Sequence, residues 1–417
     1  MTNPTAYFFH QNSADLDKAK HYEAALASCR RALATDPKNR EIKLTLATML
    51  INWGQFSEAE ALMTQVQADT APWWDARGVM HSYQGRYDEA IAAFYRAAEL
   101  DPAGNPKRIG LAGTYLLKGD WPSGFEFQRR YLEAVPSSGS RWEGQEVNHL
   151  TIHYDLGMGD IINMARFIPW AASRAKKTTI IFPRKLAWLM QEYDKYGELR
   201  FDINLDYQPE AIANIHSLPR LYGCQPDNIP ADPGLLSWGN ITSSLPADAF
   251  KIGIVWAGNP NFPGDRWRSM DLENLLPLAE HPGVQLYGLQ VGNRAGDINK
   301  IGASTLIHDL SGQIELNYAF AAGAIQAMDL IVTVDTAMAH IAGALGKPTF
   351  MAIPVFPDWR WGTSGSSTPW YPSMTIFRQK VWGDWSHPIS EIKNAILELL
   401  HERQISRNAS LGNVAAE

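Results

Sequence analysis

The sequence predicts an α-helical repeat array followed by a parallel α/β region in two halves, and three observations carry that prediction. Four segments with the same aromatic anchor, small residues and closing proline recur over the first third. The stretch DLIVTVDTAMAHIAGALGKP, at 329–348, reads as strand, turn, helix, strand. Short β-branched runs alternate with turn-rich and helix-permissive segments on both sides of a Pro-rich link at 226–246, the alternation expected of βαβ units.

Composition bounds the function class. At 417 residues the chain is long enough for about two or three domains. Hydrophobic content of 45% with 19% charged residues is that of a globular protein. The net charge of −7 gives no electrostatic reason to bind nucleic acid. Cys29 and Cys224 are too few and too far apart for a disulfide framework or a metal site. No basic region followed by an apolar core opens the sequence, and no apolar run approaches a membrane span, so a cytoplasmic protein without an integral membrane segment is expected.

In the first third the anchors Tyr22, Phe56, Tyr87 and Trp121 stand 34, 31 and 34 residues apart, the period of helical hairpins. Gly54, Gly85 and Gly119 sit two residues before an anchor, where an inter-helix turn needs positive φ. Pro37, Pro72, Pro102 and Pro136 are expected to close the second helices. The pattern resembles tetratricopeptide repeats over residues 5–136, and such stacks hold peptides or partner proteins in a curved groove. Arg30, Arg31, Arg77, Arg86, Arg96 and Arg108 are candidates to line it.

A turn-rich segment, 136–145, marks the boundary. Strands are expected at 150–154, 178–182 and near 201–203, and an amphipathic helix at 161–174. Between the first strand and that helix, DLGMGD supplies Gly157 and Gly159 for a tight turn in which backbone approaches a ligand, and Asp160 as the helix cap facing a cleft. The second half has strands at 251–257, 284–290, 330–334 and 349–353. Gly258, Asn259 and Pro260 follow its first strand, Arg266 and Arg268 offer forked donors suited to diphosphate oxygens, and Gln290 ends its second strand. Asp335 and Thr336 cap a helix at 337–345, whose N-terminus is a natural seat for phosphate, and His340 lies one turn further on the same face. Tryptophans gathered between Trp256 and Trp385 suit the lining of a cleft.

The combination LGMGD, WAGNP, DRWRS, LQVG, DLIVTVDTAMAHIAGALGKP and DWRWG with WYPSMTIFRQ resembles glycosyltransferase family 9, the ADP-heptose heptosyltransferases and their relatives, over residues 145–400. The resemblance is greatest to the branch in which tetratricopeptide repeats precede the transferase. It implies a GT-B fold of two Rossmann-like halves around a cleft, with the donor mostly on the C-terminal half and no required metal. The domain plan is then repeats at 1–140, an acceptor-side half at 141–248, a donor-binding half at 249–387, a closing helix at 388–403 that crosses back to the first half, and a disordered tail at 404–417.

Carried onto this sequence, the resemblance makes Asp160 the catalytic base and places Asp335, Thr336 and His340 at the donor sugar and diphosphate. Arg268, or alternatively Arg266, stands near the family's phosphate-binding Lys. Gly258, Asn259, Gln290 and Ala337 complete the donor-side candidates, and Ala337 replaces a Gly frequent in heptosyltransferases. Gly157, Gly159, Trp359, Arg360 and Trp361 are the acceptor-side or cleft candidates. The implied activity is inverting, metal-independent transfer of a sugar from a nucleotide-diphosphate sugar, with no cofactor. The repeats point to a protein acceptor, such as flagellin or another surface protein. A cell-envelope glycan acceptor is the enzymatic alternative, and an adaptor with a degenerate nucleotide-sensing domain the non-enzymatic one. GMGDII lacks the third small residue of a dinucleotide fingerprint, which argues against an oxidoreductase.

Overall fold

Each aromatic anchor opens the second helix of a hairpin. In the computed structural model, which describes residues 3–414 except 67–68, 103–105, 133–139, 156, 202–208, 241–244, 247, 263 and 315–316, the chain divides into two units, Met1–Val135 and Pro136–Glu417. The first unit contains α1 (Pro4–Lys18), α2 (Tyr22–Thr35), α3 (Arg40–Asn52), α4 (Phe56–Val66), α5 (Ala71–Tyr83), α6 (Tyr87–Leu100), α7 (Pro106–Lys118) and α8 (Trp121–Leu132). They pack as successive pairs around small and apolar residues such as Ala32, Leu46, Leu50, Ala59, Met63 and Ala76.

The turns carry φ of 68° at Gly54, 73° at Gly85 and 91° at Gly119. The equivalent position before α2 is Lys20, which takes the same left-handed conformation at φ 64° with a side chain attached. That conformation costs an L-residue about 1–2 kcal/mol, and glycine gives back part of the gain as chain entropy. Lys20→Gly is therefore expected to stabilise the unit by about 0.5–1 kcal/mol, read as a higher urea midpoint.

Pro37 and Pro102 follow α2 and α6 as expected, but Pro72 lies in the first turn of α5 and opens that helix instead of closing α4. A proline at this position gives up an N–H that has no partner anyway. Pro136 lies outside the described residues. Arg30, Arg86 and Arg96 are engaged by Glu58, by Glu89, and by Asp69 with Glu99, so these guanidiniums knit the surface of the array together. Arg77 lies over the Trp73 ring, 5.0 Å from its centroid.

The second unit holds two parallel sheets. Sheet one is β1 (Val147–His153), β2 (Ala175–Ile181), β3 (Glu198–Arg200) and β4 (Ala211–Asn214), in the order β3-β2-β1-β4. Sheet two is β5 (Phe250–Val255), β6 (Val284–Gly288), β7 (Ile307–Asp309), β8 (Leu330–Thr333), β9 (Thr349–Ile353) and β10 (Met374–Arg378), in the order β10-β9-β8-β5-β6-β7. Every pairing is parallel. Both orders reverse direction beside their first strand, between β1 and β4 and between β5 and β8, the doubly wound topology whose switch points accept ligands. Of the third expected strand, residues 202–203 lie outside the described residues. The short strands β4, β7 and β10 were not foreseen.

Helices α9 (Met158–Met164), α10 (Ile168–Ala172) and α11 (Leu218–Tyr222) belong to the first half. The expected helix at 161–174 is broken by a 3-10 turn at Ala165–Phe167, with Pro169 starting α10. The second half adds α12 (Asp265–Arg268), α13 (Asp297–Lys300), α14 (Ser311–Ile314), α15 (Tyr318–Ala327), α16 (Ala337–Ala344) and α17 (Ser386–Val414).

Ile389, Ile392 and Ile396 of α17 join the core of sheet two, with Leu272, Leu275 and Leu330, so this stripe packs on its own half. The helix also continues past 403 to Val414, where a disordered tail was expected. Residues 404–411 include Gln, Arg, Ala and Leu, whose helix propensity is good, and no proline interrupts them.

Candidate functional site

The loop after β5 is shaped by three contacts that leave little slack. Gln290 is buried, and its side-chain oxygen accepts N–H bonds from Trp256 (3.1 Å) and Ala257 (2.9 Å), while its amide donates to the carbonyls of Ala257 (2.9 Å) and Val291 (3.1 Å). It acts as a backbone clamp, with its amide taken up by the loop that follows β5. A Cβ on Gly258 would lie 2.4 Å from Asp265 Oδ1 and 2.6 Å from Arg268 Nη2, so glycine makes room for that ion pair. Arg268 Nε donates to Asp265 Oδ1 (3.3 Å), and its guanidinium covers the Phe262 ring. Asn259 is exposed and spends its side-chain oxygen on the Asn261 N–H (3.0 Å). Arg266 lies over the ring of Trp267.

At the other side of the same switch point, β8 runs into α16. Thr336 is the N-cap; its hydroxyl oxygen accepts the Met338 N–H at 3.2 Å, and its O–H proton is left to donate elsewhere. Asp335 precedes it, half-buried. Burial, then the charge of Asp358, push its carboxyl up to about 6, against the opposing pull of Arg268, the Trp361 indole and Arg360. His340 is fully buried; burial, reinforced by the Arg360 charge, pushes its imidazole down to about 3, so it stays neutral. Its Nδ1 is paired with the Tyr371 hydroxyl at 3.0 Å. Its ring packs beside Gly159, Trp361 and Tyr371.

The first half reaches this place through α9, which packs on α16. A Cβ on Gly159 would stand 2.7 Å from His340 Cδ2 and 3.2 Å from Cα of Ala337. The second glycine of GMGD therefore permits close helix-to-helix contact. Gly157 is the N-cap of α9, so Asp160 lies inside the first turn and its carboxylate is not consumed as a cap.

Asp160 Oδ1 instead accepts from Arg360 Nη2 at 2.7 Å, and 31% of its side chain stays exposed. Burial would raise its pKa, but the charge of the Arg360 guanidinium beside it, helped by Arg268, outweighs burial and holds the carboxyl below its ordinary value. Arg360 itself is buried on the 3-10 turn Trp359–Trp361. Its Nη1 donates to Asp358 Oδ1 (2.9 Å) and its Nε to Asn163 Oδ1 (3.2 Å). Asn163 Nδ2 donates to the Tyr371 hydroxyl (2.9 Å), which closes a polar chain from Asp160 to His340 across the two halves. Trp359 and Trp361 are both buried, Trp359 against Trp370 and Trp361 against His340.

Of the predicted residues, the fold brings together Asp160, Arg360, Asp335, Thr336, Ala337, His340, Gly159 and Arg268. Sequence reasoning missed Asn163, Arg166, Tyr371 and the pair Asp155–His216. Buried Arg166 donates to the Trp370 carbonyl (3.0 Å) and pairs with Asp232 (3.4 Å). His216 Nδ1 lies 2.8 Å from Asp155 Oδ1, on the turn after β4. The only local signal for His216 was its place after the apolar run at 211–215. Among the described residues no group of three or more His, Cys, Asp or Glu is placed to hold a metal ion. No described helix is long and apolar enough to cross a membrane.

The sequence matches the tetratricopeptide repeat family at residues 18–78 and 74–103, and glycosyltransferase family 9 (heptosyltransferase) at 275–382. The chain therefore carries N-terminal tetratricopeptide repeats and a family 9 glycosyltransferase domain in its C-terminal region. It is 22% identical to Protein FlbA of Caulobacter vibrioides, over 89% of this chain and 69% of that protein. Among solved structures, ADP-heptose lps heptosyltransferase II of E. coli is 13% identical over 61% of this chain and 99% of its own, with a TM-score of 0.40. A mutant O-GlcNAc transferase of Thermobaculum terrenum is 11% identical over 85% and 84%, with a TM-score of 0.34.

Proposed function

We propose that this protein is an inverting glycosyltransferase that moves a sugar from a nucleotide-diphosphate sugar to an acceptor hydroxyl, and that the acceptor is a protein docked by the repeats. The observation that carries the reading is the Asp160 carboxylate, held by one oxygen to Arg360 and partly exposed, beside the helix cap of the opposite half. In this mechanism the acceptor oxygen attacks the anomeric carbon as the bond to the β-phosphate oxygen breaks, with the electron pair leaving on the diphosphate. Asp160 accepts the hydroxyl proton through its second oxygen. Arg268, the Thr336 hydroxyl and the N-terminus of α16 stabilise the departing charge. The reading assigns no metal and no cofactor, because those groups fill a cation's role at the diphosphate.

The experiment is thermal stability against ADP, UDP, GDP, dTDP and CMP. A nucleotide at a hundred times its dissociation constant adds about 2.7 kcal/mol. One nucleoside diphosphate is expected to raise Tm, with the shift lost in Arg268→Ala. No shift with any of them counts against a donor site, whereas a shift without turnover of any sugar nucleotide favours the adaptor reading.

The protein acceptor has its own test. Deleting residues 1–140 is expected to abolish modification of the acceptor and to spare slow hydrolysis of the donor. Equal loss or equal retention of the two activities counts against docking by the repeats, and with intact transfer to a glycan the envelope acceptor takes precedence.

A further inference from the structure

We propose that Asp155 and His216 form a proton relay beside Asp160, which receives the acceptor's proton and so completes the transfer step. This rests on the glycosyl-transfer reading and adds to it a group that neither the sequence pattern nor the family resemblance supplied.

The relay is built at the switch point of sheet one. Asp155 follows β1 and His216 follows β4, the two strands between which the winding reverses, and the turn carrying His216 packs against α9, which carries Asp160. Ligand chemistry in doubly wound sheets is found at this position. The His216 side chain is only 1% exposed, and its Nδ1 is fixed by Asp155 Oδ1 at 2.8 Å. Since a carboxylate only accepts, the proton of that bond sits on Nδ1, and the neutral ring presents a lone pair at Nε2. That Nε2 has no hydrogen-bond partner among the described residues, nor has Asp155 Oδ2. A buried polar atom without a partner is costly, so such an atom at a candidate site calls for a role.

Asp160 needs such a neighbour. With Oδ1 committed to a buried guanidinium, it is a weak proton acceptor and cannot hold the proton it takes. An imidazole backed by a carboxylate can. In the full step the acceptor O–H bond breaks and its oxygen bonds to the anomeric carbon, while the anomeric carbon–phosphate oxygen bond breaks with its electron pair on the diphosphate. The proton passes from Asp160 Oδ2 through a bridging water to His216 Nε2, which makes no direct hydrogen bond to that oxygen. The imidazolium keeps its Nδ1–H on Asp155, whose charge balances it, and returns the new proton to solvent by way of the partly exposed Asp160 before the next turnover. Other titratable groups on the elements packed against this turn are Asp160 from α9, and Arg220 and Tyr222 from α11, with Arg220 engaged by Glu143 at 2.8 Å.

The test uses the full chain and the sugar nucleotide that carries the diphosphate found to raise Tm. Wild-type turnover is expected to fall on the acid side as an imidazole takes up a proton. His216→Gln, which can still bond Asp155 but cannot carry a proton, is expected to lose about tenfold to a hundredfold of the rate and this acid limb, with the nucleotide-induced Tm shift unchanged. Asp155→Asn is expected to lie between the two. A rate loss of the same factor at every pH that tracks a fall in Tm, or an unchanged His216→Gln, overturns the relay alone. A wild type that releases no nucleoside diphosphate from any sugar nucleotide overturns the transfer reading and the relay with it. In nitrogen-15 imidazole spectra of the ligand-free protein, His216 is expected to hold its proton on Nδ1 and to titrate differently in Asp160→Asn. A proton on Nε2, or a titration indifferent to Asp160, overturns the relay without any substrate.

Discussion

Asp160→Asn is expected to lower turnover of the sugar nucleotide about 100-fold to 10,000-fold, the range a positioned general base contributes. Asparagine keeps the size and an oxygen for Arg360 Nη2, so the contact between the halves and nucleotide binding should survive. The diagnostic result is a fall in kcat with little change in the nucleotide-induced rise in Tm. A variant that folds and turns over at the wild-type rate would remove Asp160 from the mechanism. Arg360 and its companions hold the Asp160 carboxyl below the ordinary range against the effect of burial, so the base stays ionised well below neutrality. Loss of wild-type activity between pH 6 and 7 would then have to come from another group.

Arg360→Met is expected to have the largest effect on stability, about 3 kcal/mol, the low end of the cost of breaking a buried ion pair. Removing the guanidinium leaves Asp160, Asp358 and Asn163 without their shared donor. The low end applies because the two carboxylates keep 31% and 35% of their side chains exposed and water can compensate in part. The pH dependence has a definite sign. Asp160 has a lowered folded-state pKa, so its pairing stabilises the fold above the unfolded carboxyl pKa and is lost as pH falls through the folded one. Urea denaturation of wild type and Arg360→Met at pH 7 and pH 3 should therefore show a wide gap that narrows in acid. A gap that is constant with pH would mean that the loss is one of packing against Trp359 alone.

The legible parts of this protein were those with local causes. The β8–α16 turn could be read because an apolar run, a Thr cap and an Ala-rich helix follow each other within 20 residues, and each signal acts on its neighbours. The repeat turns at Gly54, Gly85 and Gly119 were legible for the same reason, while the left-handed Lys20 at the equivalent place emerged only from the structure. Gln290, Trp359 and Trp361 could be named from position and residue type, but only the fold shows that Gln290 is spent on backbone and that the two indoles are packed inside. The short strands β4 and β7, with only 4 and 3 residues, offer too little pattern to detect.

By itself, the sequence determined the repeat array, the presence of parallel α/β units, and the loops that end at strand carboxyl termini, since propensity, capping and glycine conformation operate over a few residues. Only the tertiary structure decided which of those loops meet. Asp160 and Arg360 are 200 positions apart, Asn163 and Tyr371 are 208, and Asp155 and His216 are 61. Such pairs are chosen by how two sheets wind and how closely α9 can approach α16, and that distance is set by the missing side chain of Gly159. A short-range code cannot express a contact whose geometry depends on the folding of everything between its partners.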